Sequence, residues 1–83
     1  MLSAQQLETY ITQHLTCEYI KVLGDDGTHF EAVIVSEAFV GKSMVQQHQL
    51  VYAALGDRMR AEIHALSMKT LTPEKWHENR TNS

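Results

Sequence analysis

Apolar residues recur at helical spacing in two stretches of this chain and at alternating spacing in three others, with polar or Gly/Pro-containing segments between them. The first helical stretch carries Leu7, Ile11 and Leu15, with Tyr10 and His14 beside them. Ser3 and Gln6 stand at capping-box spacing, so the pattern predicts a helix over about residues 3–14, broken by Thr16-Cys17-Glu18. Tyr19 to Leu23 alternates, with Ile20 and Val22 on one face and Tyr19, Lys21 and Leu23 on the other. Gly24-Asp25-Asp26-Gly27 is a turn signal, because Gly and Asp supply positive φ and side-chain-to-backbone bonds. From His29 to Ser36 the strand pattern resumes with Phe30, Val33, Ile34 and Val35, which predicts a hairpin.

The longest apolar stripe follows the tight turn at Gly41-Lys42. Ser43 and Gln46 are spaced as a second capping box, and Met44, His48, Val51 and Leu55 fall at intervals of four, three and four. This stripe, flanked by Val45 and Tyr52, is expected to face the core, with Gln46, Gln47 and Gln49 toward water. Gly56 is expected to end the helix by taking the left-handed C′ position. Residues 57–63 read as a polar link with a helical turn built on Met59 and Ile63. Ala65 to Leu71 predicts a third strand, with Leu66, Met68 and Thr70 on one face. Thr72-Pro73-Glu74 starts a short helix through Trp76 and His77. Asn79 to Ser83 is expected to be a frayed, disordered tail.

This order predicts an α+β fold, with a three-stranded mixed sheet carrying both main helices on one side and a short C-terminal helix added. The 83 residues suffice for one domain, 1–83, that buries roughly 60–65% of its unfolded surface. The formal net charge is −3 and uneven: residues 1–37 hold six acids and one base, whereas 38–83 hold four acids and six bases. That balance argues against a nucleic-acid binder held mainly by phosphate contacts. The single Cys excludes an internal disulfide and any Cys-rich metal knuckle, and fits a reducing compartment. With no apolar run long enough to span a bilayer and no signal-peptide pattern, the expected location is cytoplasmic, with no membrane association.

Candidate chemistry is sparse. Gly41-Lys42-Ser43 resembles the tail of a phosphate-binding loop, but Ser36 stands where that motif needs Gly, so a capped helix start is the better account. Cys17 lacks a second Cys or a motif His and reads as a buried or incidental thiol. His14 and His77 read as solvated, and His48 as a half-buried ring bonded to backbone or Tyr. Trp76 and Tyr52 read as core, with Tyr10 capping the same cluster. His29 and His64 each stand where a loop leads into a strand, which holds the backbone while leaving the side chain reachable. A metal role and a plain surface role are both open to them. Lys42, Arg58, Arg60, Lys69 and Lys75 are candidates for a basic side; Lys42, Lys69 and Lys75 are the nucleic-acid candidates. No catalytic constellation emerges, and enzymatic activity is not expected.

Three stretches together resemble the BolA family, and most closely its short IbaG-type branch. They are Gly27-Thr28-His29-Phe30; Phe39-Val40-Gly41-Lys42-Ser43 running into His48 and Val51-Tyr52; and Ile63-His64-Ala65-Leu66-Ser67-Met68-Lys69-Thr70 closing with Thr72-Pro73-Glu74-Lys75-Trp76. The resemblance extends over about residues 5–77. It implies an αββαβ fold similar to a class II KH domain. It further implies a heterodimer with a monothiol glutaredoxin in which a 2Fe-2S cluster is shared, glutaredoxin and glutathione each giving a Cys. The ligands on this side would be His64 and, from the hairpin loop, His29; no cluster is expected in the isolated chain. A homodimer of the cluster-free chain is a further implied assembly. The implied roles are iron–sulfur trafficking, iron homeostasis or stress response. The alternative is a KH-like DNA- or RNA-binding regulator of transcription. Many family members carry Arg on both sides of the central-helix His, whereas this chain has Gln47-His48-Gln49, which weakens the DNA-binding expectation.

Overall fold

The computed structural model describes residues 3–24, 29–57 and 65–81. Helix α1 spans Ala4–His14, strand β1 Tyr19–Leu23, strand β2 His29–Val35, a 3-10 turn Glu37–Phe39, helix α2 Met44–Leu55, strand β3 Ala65–Leu71 and helix α3 Pro73–Thr81. The expected helical turn on Met59 and Ile63, most of the Gly24–Gly27 turn, and Asn82 and Ser83 lie outside the described residues.

Both expected capping boxes form. Ser3 Oγ accepts from Gln6 N–H at 3.1 Å while Gln6 Oε1 accepts from Ser3 N–H at 2.8 Å, and Ser43 and Gln46 do the same at 3.2 and 2.9 Å. β1 and β2 pair antiparallel, from Tyr19 opposite Val35 to Leu23 opposite Glu31. β2 and β3 pair parallel, from His29 beside Ala65 to Val35 beside Leu71, so the sheet is mixed with order β1-β2-β3. The intervening chain returns α2 across one face, as a parallel connection requires.

One cluster fills the space between that face and the two long helices. Leu7, Ile11, Leu15, Val22, Phe30, Ala32, Ile34, Phe39, Val51, Ala54 and Leu55 are buried in it, with Ile20, Leu66 and Met68 at its margin. The opposite face carries Lys21, Leu23, Glu31, Val33, Ser67 and Lys69 around a shallow depression of about 330 Å³. At one end of this outer face Val35 is fully buried, outside the main cluster. There Tyr19, the register partner of Val35, stacks on Trp76 of α3 with ring centroids 4.6 Å apart and planes at 22°.

Ser36 joins the layers. It is 1% exposed; its Oγ donates to the Thr16 carbonyl at 2.6 Å and accepts from Ala38 N–H at 3.1 Å, while its N–H donates to the Leu71 carbonyl at 3.1 Å. It therefore ties the α1–β1 link, the end of β2, the 3-10 turn and the end of β3 together. The 3-10 turn was not legible in the periodicity, yet it sets Phe39 wholly inside the core.

Helix α2 departs from expectation in its rotation. Val51, Ala54 and Leu55 are buried, but Met44 is 57%, Val45 66% and Tyr52 41% exposed. Gln47, expected in water, turns inward: Thr70 Oγ1 donates to its Oε1 at 2.6 Å, and its Nε2 donates to the Lys42 carbonyl at 3.0 Å. Thr70 is a buried hydroxyl on the sheet face that α2 covers, and a buried hydroxyl needs a partner, so the helix presents the Gln47 amide there, beside the Met44 sulfur 3.5 Å from the same hydroxyl. His48 is half-buried as expected, but among the described residues its Nε2 has no hydrogen-bond partner, so the expected bond to backbone or Tyr is not made at that nitrogen. Gly56 ends the helix at φ 60°, ψ −137°, a positive φ as expected but outside the left-handed helical basin. Trp76 lies on the outer face and not in the main core, and α3 continues to Thr81 where a tail was expected. Its N-cap is Thr72, whose Oγ1 accepts from Lys75 N–H at 3.2 Å. No helix among the described residues is long and apolar enough to cross a membrane.

Candidate functional site

The parallel pairing of β2 with β3 decides which chemistry-bearing positions meet. Because both strands run the same way, their first residues lie at one end of the sheet, and His29 is the register partner of Ala65. Ala65 follows His64 in the chain. Residues 36 positions apart in sequence are thus neighbours one strand spacing, about 4.8 Å, apart. His64 itself lies outside the described residues.

His29 is exposed and its backbone is held from several sides. Phe30, next in the strand, is 2% exposed and anchored in the core. The Leu23–Glu31 pair closes the hairpin just beyond it. Gly24 packs so closely that a Cβ built on it would stand 2.5 Å from Phe30 Cδ1 and 2.8 Å from the His29 carbonyl oxygen. Gly24 is therefore required for close approach, a role that the turn pattern did not separate from ordinary turn chemistry.

Cys17 is at the other end of the sheet. Glu18 N–H donates to the Val35 carbonyl at 2.8 Å, so Cys17 lies near the end of β2, about 20 Å along that strand from His29. Its thiol donates to the Leu15 carbonyl at 3.3 Å, and burial raises its pKa above the ordinary value. A thiol kept protonated by burial is a poor nucleophile and a poor ligand. Among the described residues no group of three or more His, Cys, Asp or Glu converges as a metal site.

The basic candidates do not form one patch. Lys42 is exposed in the turn before α2, on the helix side of the sheet; Lys69 is exposed on the outer face; and Lys75 is exposed in the first turn of α3. The sheet separates Lys42 from Lys69. Lys69 instead shares its face with Lys21, both being register partners of Val33 and so about 10 Å apart. Arg58 and Arg60 lie outside the described residues. His14 is exposed, and His77 Nε2 is 3.3 Å from Glu18 Oε2 at the surface.

The fold has clear relatives. The family described as BolA-like protein matches residues 2–75. The chain is 41% identical to Protein BOLA2 of Arabidopsis thaliana over 80 residues, 92% of this chain and 85% of that protein. It is 34% identical to BolA-like protein 1 of Bos taurus over 82 residues, 88% of this chain but only 61% of that longer protein. The crystal structure of a bol-like protein from Babesia bovis superposes with a TM-score of 0.85 at 35% identity, covering 96% of this chain and 95% of that one. With the family matched over nearly its whole length and the mixed three-stranded sheet shared with solved relatives, this chain belongs to the BolA family.

Proposed function

We propose that this BolA-family protein is a non-enzymatic partner of a monothiol glutaredoxin that supplies two imidazole ligands, His29 and His64, to a shared 2Fe-2S cluster. In this reading it serves iron–sulfur trafficking or a stress response. The observation that supports the reading is the register: His29, exposed and backbone-anchored, is paired with the residue that follows His64. The donor set fits a half-site. Two imidazoles cannot complete four-fold ligation, Cys17 is about 20 Å away along the strand direction, and a cluster therefore needs thiolates from outside this chain.

His ligation in place of thiolate gives a cluster less negative charge and a higher potential. Because an imidazole binds metal only when unprotonated, and protonates near pH 6.5 when free, such a site is acid-sensitive by construction. On this side of the interface the chain's task is positional: Phe30 and Gly24 fix the His29 backbone, and the β2–β3 pairing fixes the start of β3.

Co-expression with a monothiol glutaredoxin, followed by co-purification and a visible absorption and circular dichroism spectrum, tests the reading. A coloured heterodimer is expected. His64→Ala should bleach or strongly alter the spectrum, and His29→Ala should change it while His29→Cys restores colour with shifted bands. A colourless heterodimer, or identical spectra for wild type and both Ala variants, would overturn the assignment.

A further inference from the structure

We propose that Met44 is a reversible oxidation site, at which converting the thioether to a sulfoxide moves the Thr70 proton from Gln47 to the new oxygen and releases the turn before α2. The side chain is accessible: Met44 is 57% exposed, and Val40 and Val45 near it are exposed as well. Its sulfur nevertheless has a neighbour, for it lies 3.5 Å from Thr70 Oγ1. Met68, the other methionine among the described residues, is half-buried at the margin of the core. Oxidation follows accessibility, so the two differ in their reactivity toward one reagent.

Thr70 is what separates this position from an ordinary surface methionine. Its residue is 3% exposed, so the hydroxyl must find its acceptor inside the protein, and it has one proton to give. That proton goes to Gln47 Oε1 at 2.6 Å, because a thioether sulfur is the weaker acceptor. Gln47 in turn donates from Nε2 to the Lys42 carbonyl at 3.0 Å and to the Phe39 carbonyl at 3.4 Å. One amide therefore ties together β3, α2 and the turn between Phe39 and Lys42. The reagent is a hydroperoxide. The sulfur lone pair attacks one peroxide oxygen, the O–O bond breaks, and the departing hydroxide takes the proton of the transferred hydroxyl and leaves as water. Sulfur loses the two electrons that the peroxide gains. The sulfoxide oxygen is a strong acceptor, held on an atom already in contact with the Thr70 hydroxyl. Once it takes the single proton, Gln47 loses its anchor on β3. The Ser43–Gln46 capping box is not involved, so the helix start survives. A methionine sulfoxide reductase restores the thioether. The inference does not depend on the cluster reading, because it uses neither proposed ligand.

The test is graded hydrogen peroxide on the whole protein, with tryptic peptides 43–58 and 61–69 reporting Met44 and Met68 separately by mass spectrometry. Met44 is expected to gain one oxygen severalfold faster than Met68. In the same samples the Gln47 side-chain amide resonances should shift, and the pair of reductases that act on the two sulfoxide epimers should return them. Met44→Leu should abolish the shift. Thr70→Val should leave Met44 oxidisable but uncouple it from Gln47, whereas Thr70→Ser, which keeps a hydroxyl, should retain the coupling. Equal oxidation of Met44 and Met68, a Gln47 amide unmoved by oxidation of Met44, or the same shift in Met44→Leu or Thr70→Val would each overturn the proposal.

Discussion

Replacing Ser36 by Ala removes one oxygen from the most connected point of the fold. That oxygen is 1% exposed as part of its residue, donates to Thr16 at 2.6 Å and accepts from Ala38 at 3.1 Å. Each such hydrogen bond contributes about 0.5–1.5 kcal/mol net. Thr16 and Ala38 are both exposed, so water can reach the groups left behind and most of the penalty for a buried unsatisfied atom is avoided. The expected loss is therefore about 2 kcal/mol from the two bonds together. In a domain of this size each kcal/mol lowers Tm by about 4–8 °C, which sets the expected drop at about 8–16 °C. Urea denaturation at 25 °C and thermal circular dichroism measure it, and the urea slope should not change because the surface exposed on unfolding is the same. Ser3→Ala, which removes an exposed cap, should cost only about 1 kcal/mol. If Ser36→Ala lost less than Ser3→Ala, the joint described for Ser36 would not be what holds these elements together.

Three further outcomes follow from the same geometry. Gly24→Ala places a methyl 2.5 Å from the Phe30 ring and 2.8 Å from the His29 carbonyl; it should cost about 1–3 kcal/mol and shift the His29 backbone amide resonances, whereas an unchanged spectrum would refute the close approach. Trp76→Ala should cost about 1–2 kcal/mol, abolish the near-ultraviolet dichroism of the Tyr19 stack and reduce helicity at the C-terminus; retention of all three would refute the outer-face role of α3. Cys17 has a pKa raised by burial, so its contribution to stability is fully present below the unfolded thiol's pKa, about 8.5, and is lost as pH rises toward and through the folded value. Urea midpoints of wild type and Cys17→Ser should therefore converge above that pH, and iodoacetamide should label the folded thiol more slowly than the unfolded one.

The hairpin, the three strands and both capped helices were legible because their signals are local. Alternation in Tyr19–Leu23 and Ala65–Leu71 gave those strands their observed bounds, and Ser-x-x-Gln gave both helix starts. The rotation of α2 was not legible, because it turns on a long-range bond. Gln47 looks like a surface residue until Thr70, on another element, is known to need its amide. Tyr52 and Met44 were consequently assigned to a core that the helix turns away from them. Trp76 was assigned to the same core because aromatic residues usually are buried, but the outer end of the sheet offered Tyr19 and Val35 instead. For the site, the pattern could nominate His29 and His64; only the register could show that the first stands next to the successor of the second. The separation of Lys42 from Lys69 likewise depended on which side of the sheet each occupies.

The parallel register has a consequence in time as well as in space. A hairpin closes over a few residues within microseconds, but β3 can dock only after the chain between β2 and β3 has folded back, which makes that contact a late and entropically costly one. His29 reaches its strand with the hairpin, yet acquires Ala65 as a neighbour only at this last step. A half-folded chain, or one nicked in the crossover, would keep its hairpin and lose the juxtaposition. Whatever binds at that end of the sheet thus reads out completed folding.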